Sequence, residues 1–214
     1  MAKRMQIDFV SDVVCPWCVI GLRGLETALE KLDGEVEAEL HFQPFELNPQ
    51  MAPEGEDRDD HIARKYGRPP AETAAVRERI RERAASVGFT MSQAQDHIYN
   101  TFDAHRLLHW AGLEGKQAAL KHALFGAYFT DGLNISDRDV LVAKAKEAGL
   151  DPKVARDVLE SGRYADEVRQ EEQSWINAGI SSVPAVIVNR QYLISGGQPP
   201  EVFEQSLRQI AAKI

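Results

Sequence analysis

Asp12-Val13-Val14-Cys15-Pro16-Trp17-Cys18 decides the fold, because it holds both cysteines of the 214-residue chain and joins an apolar run to a helical pattern. Upstream, Met5 to Ser11 mixes apolar and β-branched residues and predicts a first strand. Downstream, Val19, Ile20, Leu22, Leu25, Leu29 and Leu32 recur at helical spacing, which predicts a helix over 15–31 stopped by Asp33-Gly34. From Val36 to Phe45, Val36, Ala38, Leu40 and Phe42 alternate with Glu37, Glu39, His41 and Gln43, the period of a half-buried strand. Strand, helix and strand in succession make a βαβ unit with a right-handed crossover.

After Phe45-Glu46-Leu47-Asn48-Pro49, the acidic, Pro- and Gly-containing stretch 51–60 reads as a loop. From His61 to Gly162 the signals are helical. They predict a helix beginning at 61–66 and broken at Arg68-Pro69-Pro70, then helices over 72–87, 93–111, 117–130, 136–148 with Ser136 as cap, and 151–161 with Asp151 as cap and Pro152 at its first position. A further helix is predicted over 164–178. Ala185 to Val188, a turn at Asn189-Arg190, and Gln191 to Ile194 read as a hairpin; Ser195-Gly196-Gly197-Gln198 is a loop and 199–212 a final amphipathic helix. The chain is therefore read as an α/β domain of residues 1–50 and 163–214, with a helical subdomain, 51–162, inserted into it.

Hydrophobic residues at 43% and charged residues at 27% indicate an ordinary globular chain, and a net charge of −8 argues against a nucleic-acid surface. The run Arg77-Glu78-Arg79-Ile80-Arg81-Glu82-Arg83 alternates in sign and reads as a solvated helix face. Met1 to Asp8 has basic residues but no apolar leader core, and no apolar run approaches the ~20 residues of a membrane span. A cytoplasmic protein with no membrane or nucleic-acid partner is expected. In a reducing cytosol, two cysteines three apart serve catalysis or a metal more often than they staple a fold.

Two such thiols can close a small disulfide ring or offer two ligands to a metal. A structural zinc site usually needs four protein ligands, yet the chain has no further cysteine and its six histidines are scattered, so redox chemistry is favoured and no metal is expected. Cys15 precedes the helix, where unpaired N–H groups and the helix dipole favour a thiolate. It is predicted to be the exposed, nucleophilic sulfur. Cys18, one turn in, is predicted to be more buried and to act as the resolving thiol. Pro16 shapes the turn, and an exposed Trp17 tunes access and potential.

Strand, CxxC and helix, followed far downstream by Val-Pro before a strand, resemble the thioredoxin superfamily, and the helical block after the second strand resembles its DsbA branch. Asp12-x-x-Cys15-Pro16-Trp17-Cys18-x-x-Gly21, Pro44-Phe45-x-Leu47-Asn48-Pro49, Ala104-His105-Arg106-Leu107, Ala127-Tyr128-Phe129, Val183-Pro184 and Ser195-Gly196-Gly197-Gln198-Pro199 resemble the FrnE-like, DsbA-type oxidoreductases. That family is allied to the 2-hydroxychromene-2-carboxylate isomerases and kappa-class glutathione transferases. The resemblance implies a thioredoxin-like fold with a large all-helical insertion, and a cis Pro184 packed beside the disulfide. Lacking an N–H, Pro184 would leave the Val183 backbone open to an extended substrate segment. It also places Asn100, His105 and Arg106 on the helical face toward the cysteines, either as a substrate-binding wall or as a cap and satisfied core polar groups. The region of Ser195, Gly196 and Gln198 touches the γ-glutamyl end of glutathione in glutathione-using relatives; here it reads equally as a tight turn. The additional cysteine pair of some family members is absent.

Three functions follow as expectations. The first is a thiol–disulfide oxidoreductase working through Cys15 and Cys18 on protein or peptide disulfides or small thiols, in the reductase or isomerase direction. The second is a glutathione-dependent isomerase or transferase, which the presence of both cysteines disfavours. The third is a non-enzymatic, redox-sensing partner-binding protein. No tightly bound cofactor is expected, with glutathione as a redox partner or cosubstrate; monomer and homodimer are both open.

Overall fold

A computed structural model describes residues 2–67 and 69–214. Strand β1 (Lys3–Ser11) leads through the cysteine turn into helix α1 (Pro16–Lys31), and β2 (Val36–Pro44) returns parallel to β1, with Phe9 opposite Phe42. The two rings meet edge to face at 5.9 Å, fixing the register under the dithiol. Near the C-terminus β5 (Ala185–Val188) pairs antiparallel with β1, and β6 (Tyr192–Ser195) pairs antiparallel with β5. The sheet order is β2-β1-β5-β6. Asn189 and Arg190 turn the hairpin with φ of 52° and 54°, the left-handed geometry that matches strand twist.

Helix α9 (Pro200–Ala211) packs on α1, where Leu22 and Leu25 join the buried Phe203 and Leu207. Gly24 permits this approach. A Cβ there would lie 2.7 Å from the Gln198 carbonyl oxygen and 3.5 Å from the Phe203 ring.

Between β2 and β5 come a two-residue ladder of β3 (Glu56–Asp57) with β4 (His97–Ile98), and helices α2 (Arg58–Tyr66), α3 (Pro70–Ser86), α4 (Phe102–Leu113), α5 (Gln117–Phe125), α6 (Arg138–Glu147), α7 (Pro152–Ser161) and α8 (Ala165–Asn177). A π-helical segment, Gly126–Thr130, continues α5. Gln117 closes the outer edge of β2: its Oε1 accepts from the Phe42 N–H at 2.9 Å, and its Nε2 donates to the Phe42 carbonyl at 3.0 Å. No described helix is long and apolar enough to cross a membrane.

The starts of α4 and α6 differ from the sequence prediction. The helix expected from Gln93 starts only at Phe102, because Gln95 donates to the Tyr128 hydroxyl and the His97 carbonyl, and Asn100 Oδ1 accepts from the Phe102 N–H at 2.9 Å. Side chains that bond locally to backbone compete with helix, and these hold 93–101 out of the helix. Asp137, not Ser136, caps α6, accepting from Asp139 at 2.7 Å, while the Ser136 hydroxyl bonds Asn134 and the Pro53 carbonyl. The break expected at Arg68-Pro69-Pro70 involves Arg68, which lies outside the described residues; α2 ends at Tyr66, with Gly67 left-handed at φ 64°.

Candidate active site

The turn from β1 to α1 puts Cys15 at the N-cap, in extended conformation (φ −87°, ψ 113°), with Pro16 in the first helical turn. Its N–H donates to the Asp12 carbonyl at 3.2 Å, and Cys18 N–H donates to the Cys15 carbonyl at 3.0 Å. Both cysteines are free, and they lie 3.1 Å apart. The Val183–Pro184 peptide bond is cis, and the Val183 carbonyl accepts from the Cys15 thiol at 3.6 Å. Gly21 lets the Pro184 loop sit against α1, since a Cβ would stand 3.1 Å from Pro184 and from Gly197.

Cys15 is 4% exposed and Cys18 0%. The expected order therefore holds, but Cys15 is not the open sulfur that its helix-end position suggests. The reason is a wall the sequence did not disclose. Helices α2 and α3 fold over the turn and leave a groove of about 340 Å³ in which Cys15 meets Leu47, Ile62, Tyr66, Val76 and Ile80. Trp17, 42% exposed, stands at its rim. Arg77 also lines it, so the charge run read as a solvated face turns one side inward. The only sequence trace of this wall is the i,i+4 spacing of Ile62 with Tyr66 and of Val76 with Ile80 on otherwise charged helices.

Burial pushes the Cys18 thiol well above its ordinary value, helped by its hydrogen bond and charge interaction with Cys15; Lys121 and a backbone hydrogen bond at Asp12 pull the other way. Lys121 escaped the sequence analysis. It is fully buried on α5, its ammonium 5.0 Å from the Phe125 ring centre and 6.0 Å from that of Phe42. Burial lowers its pKa to about 8, against the attraction of Cys18, Asp12 and Cys15.

Asp12 ties the turn from beneath. Its Oδ2 accepts from the Leu47 N–H at 2.8 Å, and its Oδ1 lies 3.3 Å from His105 Nε2. Buried Glu46, next in line, has its carboxyl pushed up by burial and by Glu172, with His105 and Arg169 pulling it down. His105 thus supports the dithiol turn from within the core.

Asn100 and Arg106 both make bonds within the frame. Asn100 Nδ2 donates to the Met51 carbonyl at 2.9 Å while its oxygen caps α4. Arg106, 3% exposed, donates to Asp103 at 2.5 Å, to the Arg163 carbonyl at 2.8 Å and to the Val158 carbonyl. A buried guanidinium must satisfy its donors, and these bonds tie α4 to α7. These bonds describe the second of the two readings given for Arg106, a satisfied core polar group. In the C-terminal loop, Gly196 N–H donates to the Pro184 carbonyl at 2.9 Å and Gln198 Nε2 to the Ser195 carbonyl at 2.7 Å. Ser195, Gly196 and Gln198 form a turn that braces Pro184 from behind α1.

A four-stranded sheet with a CxxC turn at the start of its first helix, a cis-proline loop against that turn and a helical block over it define a DsbA-like thioredoxin fold. The family model for the DSBA-like thioredoxin domain matches residues 6–208, and the chain belongs to that family. The structure of a probable DsbA oxidoreductase from Streptomyces coelicolor is 35% identical, with a TM-score of 0.90 over 96% of this chain and 89% of that one. The uncharacterized protein YwbO of Bacillus subtilis is 29% identical over 206 residues, 95% of this chain and 96% of its own. The cytosolic disulfide reductase DsbM of Pseudomonas aeruginosa, solved with GSH, shares the fold at 18% identity and a TM-score of 0.64, over 95% of this chain and 98% of that one.

Proposed function

We propose that this chain is a thiol–disulfide oxidoreductase with Cys15 as nucleophile and Cys18 as resolving thiol. The observation that carries it is the approach of two free cysteines to 3.1 Å at a helix N-terminus. A disulfide needs about 2.0 Å between sulfurs, so the turn closes the ring with little backbone change. Cys15 lines the groove and Cys18 does not, which supports Cys15 as the first to attack.

Cys15 sulfur attacks one sulfur of a substrate disulfide; that S–S bond breaks, and the departing sulfur keeps the electron pair and takes a proton. Cys18, having lost its proton, attacks Cys15 and expels the second substrate sulfur in the same way. The substrate gains two electrons, and the protein carries a Cys15–Cys18 disulfide until an external thiol or dithiol reduces it. Glutathione is one such thiol. The Val183 backbone, beside Cys15, aligns an extended disulfide-bearing segment, and Pro16 and Trp17 shape the mouth. Lys121 supplies the positive charge that favours the Cys18 thiolate as it forms. In a reducing cytosol the net direction is reduction or isomerisation.

Insulin reduction with dithiothreitol, run with and without glutathione, tests this reading. Turnover by the dithiol alone is expected. Glutathione binding without such turnover would favour an isomerase or transferase instead.

A further inference from the structure

Beside the groove over Cys15 lies a second chamber of about 140 Å³, sharing Val14, Pro16, Ile62, Arg77, Ile80 and Ile98 with it. Its remaining apolar wall is Met91 and Phe129, and its polar lining is Arg58, Arg77, Arg81, Ser92, Gln95 and Tyr128. Among the described residues no carboxylate lines either cavity, although the whole chain carries a net charge of −8.

The arginines are unevenly neutralised. Arg81 pairs with Glu78. Arg77 donates to Asp59 at 2.8 Å, and Arg58 approaches the same Asp59 oxygen only to 3.6 Å, so two guanidinium groups share one carboxylate. Arg58 Nη1 donates to the Gln95 side chain at 2.7 Å and to the Gln95 carbonyl, but its Nε is a buried donor without a hydrogen-bond acceptor. Such a donor is costly in an apolar surrounding, and its nearest acceptor is the Asp59 carboxylate at 3.6 Å. Burial, then the neighbouring Arg77, holds Arg58 below its ordinary pKa, with Asp59 and Tyr128 pulling the other way. The volume matches one ring, since an apolar cavity of roughly 150 Å³ accommodates benzene.

We propose that this chamber binds a carboxylate carried on a small apolar group, one aromatic ring or a short branched chain, of the thiol or disulfide substrate. Arg58 and Arg77 hold the carboxylate, and the apolar wall holds the ring. The proposal rests on the oxidoreductase reading for the word substrate, and the groove shared with Cys15 makes it a specificity site. A phosphate or sulfate alone would leave the apolar wall without a partner.

Titration calorimetry of the reduced protein with 3-phenylpropanoate and with its neutral amide tests the chamber without any thiol chemistry. The carboxylate should bind about tenfold or more tightly than the amide, as expected for one charge-assisted hydrogen bond. Arg77→Gln should weaken carboxylate binding about tenfold while leaving amide binding in place. Ile80→Phe, which fills the chamber without removing charge, should abolish binding of both at an unchanged thermal midpoint. Equal affinity for acid and amide, no binding of either, or carboxylate affinity unchanged in Arg77→Gln would overturn the proposal. Because no disulfide is turned over, an inactive dithiol and an empty chamber give separate results.

Discussion

Replacing Lys121 by methionine should stabilise the protein at neutral pH and slow its second chemical step. Lys121 is fully buried, and its pKa falls from 10.5 to about 8 because burial outweighs the attraction of Cys18, Asp12 and Cys15. At about 1.4 kcal/mol per pH unit, that difference makes the charged lysine roughly 3 kcal/mol destabilising below pH 8. The unfolded chain keeps this proton up to about pH 10.5 and the folded chain only to about 8. Between those values the unfolded state binds more protons, so wild-type stability rises with pH and the penalty vanishes above the upper one. Methionine fills similar space without charge. Urea unfolding under reducing conditions at pH 7, 8, 9 and 10 should show a variant advantage of up to roughly 3 kcal/mol at pH 7 that shrinks steadily with pH. Cys18 titrates in both proteins and drops out of the comparison to first order. Without the ammonium, the Cys18 thiol moves further above its ordinary value, so resolution of a mixed disulfide slows at pH 7. A stability difference constant across this pH range would refute the buried, depressed ammonium.

Other variants separate the frame from the chemistry. Arg106→Met should lower unfolding free energy by about 3 kcal/mol, because it removes the bonds of a buried guanidinium to Asp103 and to the Arg163 and Val158 carbonyls, yet leave the KM for a peptide disulfide within twofold. Gly24→Ala should lose about 1–3 kcal/mol by pushing α9 from α1, read as a drop in thermal midpoint. His109, whose pKa is raised chiefly by its hydrogen bond to Glu171, should titrate above a free histidine by NMR and revert in Glu171→Gln. The stabilisation it brings is full below its unfolded pKa, near 6.5, and is lost as pH rises through the raised folded value. Cys15→Ala should abolish disulfide exchange.

β2, α1 and α9 were legible because each buries one face and so carries a period of 2 or 3.6, and β1 and β5, buried on both faces, read as short apolar runs. The start of α4 was not, since Gln95 and Asn100 divert the backbone through bonds that only the folded neighbours Tyr128 and Met51 make possible. At the site, Cys15, Cys18 and Pro184 stood out as a motif. Lys121 did not, because a lysine between Leu120 and His122 looks like any polar helix position until Phe42 and Phe125 close over it. The groove wall was hidden in the same way. Arg77 and Arg81 belong to an alternating charge run whose inner side is set by long-range packing of α3 on α2 and α1.

The central claim is that Cys15 attacks substrate and Cys18 resolves the product. Incubating Cys18→Ala with a cystine peptide and weighing the intact protein tests it most directly. The account predicts a stable adduct of one peptide half on Cys15, released by dithiothreitol. No adduct on Cys15, or undiminished exchange by Cys15→Ala, would contradict it.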